Sequence, residues 1–175
     1  MFNGSKIKLA VSTGLAVAGI GIAALATVPA YAATGSTTGN VNVNHSITLT
    51  GLSASFSLSG APATTANALG AVTMSVKDNN KTGYTVTVQA ASANMVGGAT
   101  GNSDTIPVSA LTVRNTTTAG AYAAISSSSA TTVASTTVKS TGGGDTVSND
   151  YQMLIPWVNS DNYSVTLNYV LSSNP

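Results

Sequence analysis

Cysteine and glutamate are both absent from this 175-residue chain, which has one histidine and one tryptophan. Without cysteine there are no disulfides, thiolate metal sites or cysteine nucleophiles, so stability must come from packing and backbone pairing. Charge is equally scarce. Beyond the leading region the cations are Lys77, Lys81, Arg114 and Lys139, set against Asp78, Asp104, Asp145, Asp150 and Asp161. Four scattered cations cannot displace the counterions of a nucleic acid, and they offer no basic patch to an anionic membrane. Glycoside hydrolysis needs two carboxyl groups flanking one bond, and every Asp here sits among turn-forming residues. A Ser-His-Asp relay would have to use His45, yet no Gly-x-Ser-x-Gly motif locates its serine. The composition predicts neither an enzyme nor a bound cofactor or metal. Asp78-Asn79-Asn80-Lys81-Thr82-Gly83 looks like the start of a calcium loop, but Gln89 stands where the closing acid belongs, so it reads as a turn.

What is present begins with an export pattern. Lys6 and Lys8 precede an apolar, Ala/Gly-rich run over residues 9–28, followed by Pro29-Ala30-Tyr31-Ala32-Ala33. A positive head, an apolar stretch and a small-x-small site are the parts of a secretory signal, with cleavage expected after Ala32 or, as second choice, after Ala33. The rival reading is a retained anchor, since roughly twenty apolar residues can just span a bilayer. The expected organisation is a signal over residues 1–32, a flexible leader over 33–39 and a single domain over 40–175. After cleavage no membrane association is expected, and the destination is the cell wall or extracellular surface.

The remainder alternates with a period of two, as strands with one buried face do. Val41, Val43, His45, Ile47 and Leu49 alternate with polar residues, and Leu52, Ala54, Phe56 and Leu58 alternate again after Gly51, which predicts two strands. Val72, Met74 and Val76 share a face, as do Tyr84, Val86 and Val88. The Asp-, Asn- and Gly-containing link between them predicts a hairpin. Residues 105–113 carry a weaker strand signal. Residues 116–144 are nearly all Ala, Ser, Thr and Gly, compatible with two poorly anchored strands or with a mobile excursion. Tyr163, Val165, Leu167, Tyr169 and Leu171 predict an uninterrupted final strand in the middle of a sheet. The fold class expected is all-β, an antiparallel sandwich of immunoglobulin-like or jelly-roll-like type.

Two segments carry a resemblance. Val72-Thr73-Met74-Ser75-Val76-Lys77-Asp78 with Gly83-Tyr84-Thr85-Val86-Thr87, and the terminal Tyr163 to Pro175 stretch, resemble the WxL surface domain of Gram-positive bacteria, with Tyr84 and Tyr169 in place of its tryptophans and Val86 in place of a leucine. The resemblance implies non-covalent attachment to peptidoglycan or another wall polymer, often alongside other surface proteins, with Tyr84 and Tyr169 as ligand-binding positions. Trp157, between Pro156 and a polar run, is the aromatic best placed to be exposed and to stack on a sugar ring. The leading functional expectation is a secreted, non-enzymatic module bound to wall polymer. The alternative is a structural subunit of a fibre or surface layer that self-associates by strand pairing.

Overall fold

The computed structural model describes residues 33–175, so the expected signal and its cleavage after Ala32 lie outside the described residues. Residues 33–41 are exposed and carry no strand. Asn42–Pro175 forms one compact unit, and it is all-β.

Among the described residues, eleven strands make three antiparallel sheets. The largest has the order β1-β2-β9-β6-β7, built from β1 (Ile47–Thr50), β2 (Thr65–Asp78), β9 (Asp145–Leu154), β6 (Leu111–Asn115) and β7 (Ala123–Ala124). Opposite it lies β11-β3-β8, from β11 (Leu167–Ser173), β3 (Tyr84–Ala90) and β8 (Thr131–Ser135). A third small sheet, β10-β4-β5, joins β10 (Tyr163–Ser164), β4 (Asn94–Gly97) and β5 (Thr105–Pro107). Alternate side chains fill the space between sheets. Val72, Met74 and Val76 of β2 and Val113 of β6 belong to one buried cluster with Tyr84, Val86 and Val88 of β3 and Val133 of β8. This is a sandwich core, in which β-branched residues suit pleated surfaces buried on one face.

Three expectations about pairing need correction. The residues flanking 79–83 are strands with the expected buried faces, but they do not form a hairpin: β2 pairs with β1 and β9, whereas β3 pairs with β11 and β8. The link is an arch that carries the chain from one sheet to the other. Gly83, at φ +81°, closes it where a Cβ would lie 2.1 Å from the Thr136 carbonyl oxygen. The first expected strand shrinks to β1, because Val41 and Val43 stay exposed. The second does not form. After Ser53 donates its N–H to Thr73 O, residues 54–60 run on as an extended strap with no backbone hydrogen bond among the described residues. In the neighbouring β2, the register to β9 breaks between Ala68 and Val72, and Gly70 adopts φ +58°. A bulge of this kind bends its strand and raises the local twist.

The final strand is likewise divided and displaced. Tyr163–Ser164 pairs with β4, while Leu167–Ser173 pairs with β3 only and stands at a sheet edge rather than in its middle. Residues 116–144 follow the two-strand alternative. β7 joins the large sheet, β8 joins the opposite one, and Ile125 and Val133 anchor them in the core.

Among the described residues, Asn149 opposes this packing. It is fully buried, and neither its Oδ1 nor its Nδ2 has a partner. An unsatisfied buried amide costs about 1–3 kcal/mol, and a leucine of similar size removes that cost. Asn149→Leu is expected to raise stability in urea unfolding by about 1 kcal/mol. A loss larger than about 1 kcal/mol would instead reveal a buried water bridging the amide.

Candidate functional site: an open seam of the sandwich

Between the strap and the segment running from Asn159 through β10 into β11 lies a groove of about 760 Å³. Its floor is the core itself, since Val72, Met95, Ile106, Leu111 and Met153 reach it. Phe56 and Leu58 of the strap are half-buried against that core, and Phe56 stacks on Tyr151 with ring centroids 4.3 Å apart. One wall is a strap whose backbone is unpaired. The other continues into β11, which pairs on one side only. The groove is a seam where two sheets approach without closing.

Two polar groups on its rim, Asp161 and Tyr163, are already committed. Asp161 accepts hydrogen bonds from Asn102 Nδ2 at 2.7 Å and from the Ala99 N–H at 2.9 Å. Tyr163 donates to Asn159 O at 2.9 Å and accepts from Asn102 Nδ2 at 3.0 Å. The bond from Asn102, helped by the backbone of Ala99, holds the Asp161 carboxyl below the usual carboxylate range.

The three aromatic residues expected to bind do not converge. Tyr84 is buried, and its hydroxyl donates to Asp145 Oδ2 at 3.0 Å. Burial, together with that bond and the negative charge of Asp145, pushes its pKa up to about 12. Its ring is packed in the core and offers no face to a ligand. Tyr169 does line the groove, half-buried, with its hydroxyl against that of Tyr151. Burial raises Tyr151 to about 12, and burial with the neighbouring Tyr151 raises Tyr169 further. Both phenols therefore stay neutral at physiological pH and act as hydrogen-bonding hydroxyls. Trp157 is 89% exposed and does not line the groove.

Sequence reasoning missed a cluster at the opposite end. His45, Asp78 and Ser173 meet there, although His45 and Ser173 are 128 positions apart. His45 Nε2 lies 3.0 Å from Asp78 Oδ1 and 2.9 Å from Ser173 Oγ, and Ser173 donates to Asp78 Oδ2 at 2.6 Å. The set is satisfied when Nε2 carries the proton. A hydrolytic relay needs serine and acid on opposite ring nitrogens, with the serine proton directed at histidine. Here both lie on Nε2 and the serine proton goes to the acid, so the geometry is that of a clasp between the segment leading into β1, the end of β2 and the end of β11. Burial of Asp78 works to raise its pKa, but hydrogen bonds from Ser173, the Asn80 N–H and His45 outweigh it and the net direction is down.

That direction fixes a pH dependence. A carboxyl whose folded pKa is depressed adds stability above its unfolded value of about 3.9, and loses it as pH falls through the lower folded pKa. Unfolding midpoints are expected to be flat from pH 7 to 5 and to fall below about pH 4. Replacing Asp78 with Asn should flatten part of that acid limb, and an unchanged limb would contradict the clasp.

Compared with known families and with curated proteins, the chain matches no family model and no curated sequence. The reading of the site therefore rests on its own geometry.

Proposed function

We propose that this chain is a non-enzymatic structural subunit, working outside the cell, that assembles by accepting an extended strand in its open seam. The observation that carries the reading is the seam itself, with core side chains as its floor and unpaired backbone along its walls. Strand addition draws affinity from main-chain hydrogen bonds and specificity from pockets for alternate side chains, and the groove provides for both. Soluble proteins blunt such edges with lysine, proline or cover. Leu167–Ser173 contains neither a charged residue nor a proline. The export pattern of residues 1–32 and the low charge are consistent with a role at the surface.

A second reading, attachment to wall polymer, is favoured by Trp157, whose exposed indole could stack on a sugar ring. It ranks lower because Trp157 does not line the groove, so the reading rests on a single exposed indole. Two assays on the full chain separate the readings. If the seam is the working surface, sedimentation velocity will show association that grows with concentration and is lost in Val165→Asp, which sets a charge in the groove. If wall polymer is the target, co-sedimentation with purified peptidoglycan will occur and will drop in Trp157→Ala. A chain that stays monomeric at every concentration would overturn the assembly reading.

A further inference from the structure

Resting on that reading, we infer that the strand received by the seam is residues 39–43 of a second copy of this chain, the stretch just before the clasp and the Asn79 contacts that hold Asn44 to Ser46 in their own fold. Three observations point to this occupant. The segment Gly39-Asn40-Val41-Asn42-Val43 has the alternation of a strand, yet lies outside every sheet. Val41 and Val43 are 89% and 76% exposed, so two β-branched side chains on one face of the segment have nothing covering them. The segment is also free of Lys, Arg, Asp and Glu, which suits a groove floored by valine, methionine, isoleucine and leucine.

Its point of departure favours another copy over its own groove. Asn79 pins the chain at the arch: its Nδ2 donates to Asn44 O at 2.8 Å, and its Oδ1 accepts from the Ser46 N–H at 2.8 Å. From there β1 runs antiparallel to β2, with Ile47 opposite Asp78 and Thr50 opposite Ser75, and the strap begins only beyond Thr73. The seam therefore lies toward the far end of β2, whereas residues 44–46 stand at the arch end. A segment that leaves one end of a sandwich and a groove that opens toward the other make a heterologous, head-to-tail contact. Such contacts propagate into open filaments unless the rotation closes a ring. Val41 and Val43 would enter the groove while the backbone pairs with the strap or with the free edge of β11.

The decisive experiment is complementation between full-length variants, read by sedimentation velocity. A donor-defective chain carries Val41→Asp and Val43→Asp, both at exposed positions where the fold should be untouched. An acceptor-defective chain carries Val165→Asp, with Ser57→Arg on the exposed strap as a second version in case the first misfolds; circular dichroism checks each. The donor-defective chain alone should associate at least on the order of a hundredfold more weakly than the unaltered chain, given two buried valines and tenfold per 1.4 kcal/mol, and the acceptor-defective chains alone should also lose assembly. Mixed, they should form 1:1 dimers and nothing longer, because one intact donor then meets one intact acceptor. If the donor-defective chain assembles normally while both acceptor variants do not, the occupant is wrong and the seam reading survives. If the acceptor variants also assemble normally, or the unaltered chain never assembles, both fail.

Discussion

Gly83→Ala is expected to cost about 4 kcal/mol and to lower the thermal midpoint by roughly 10–15 °C. Two effects add. An alanine at φ +81° carries about 1–2 kcal/mol of backbone strain. Its Cβ would also lie 2.1 Å from Thr136 O and 2.8 Å from the Val138 nitrogen, both main-chain atoms that cannot swing aside as a side-chain tip would. The arch must then open or the loop after β8 must move, and Tyr84 O, which accepts from the Thr136 N–H at 2.9 Å, loses its partner. Gly142→Ala serves as the control, with nothing within 4 Å of the added carbon and an expected change within about 0.5 kcal/mol. Differential scanning calorimetry of both variants checks this. Equal midpoints would mean that the chain turns here by some other geometry, such as the hairpin the local sequence suggests.

Asp150→Ala is expected to destabilise the protein by about 3–5 kcal/mol in urea. The carboxylate is buried on β9 and accepts from Arg114 Nε at 2.9 Å, Thr116 Oγ1 at 2.6 Å and the Gly70 N–H at 2.8 Å. Those three partners come from β6, from the loop after it and from the bulge of β2, so one side chain holds the bulge against two elements. Removing it leaves a guanidinium without its partner. Burial favours the neutral acid, but hydrogen bonds from Thr116 and Gly70 and the bond and charge of Arg114 outweigh it and lower the pKa. Asp150→Asn keeps the shape and loses the charge, and it should fall between alanine and the native residue. A cost below about 1 kcal/mol for alanine would show that the bulge is held by packing alone.

How far the fold could be read beforehand follows from what alternation encodes. A period of two reports which face of a strand is buried, and it placed Val72, Met74 and Val76, and Tyr84, Val86 and Val88, on inner faces. It does not report the partner. Asp, Asn and Gly between two strands serve an arch as well as a hairpin, because both need a tight reversal and a residue at positive φ. The strap shows the same limit: Phe56 and Leu58 do turn toward the core, but the pairing expected of a strand stops at Ser53, beside the bulge in β2. Gly70 within a strand pattern is the one local sign of that bulge. The groove could not be read from sequence, since it arises where two segments about a hundred residues apart fail to meet. The exposure of Trp157 was legible from Pro156 and the polar residues after it. The burial of Tyr84 and the meeting of His45 with Ser173 depend on contacts distant in sequence.

Hydrogen exchange, followed peptide by peptide at low and high protein concentration, tests the seam most directly. The account predicts fast exchange of residues 54–60 and of part of 167–173 in the dilute chain. Both should slow as copies associate, while 72–76 stays protected throughout. Slow exchange of the strap in the dilute chain, or association that leaves these two segments unchanged, would contradict it.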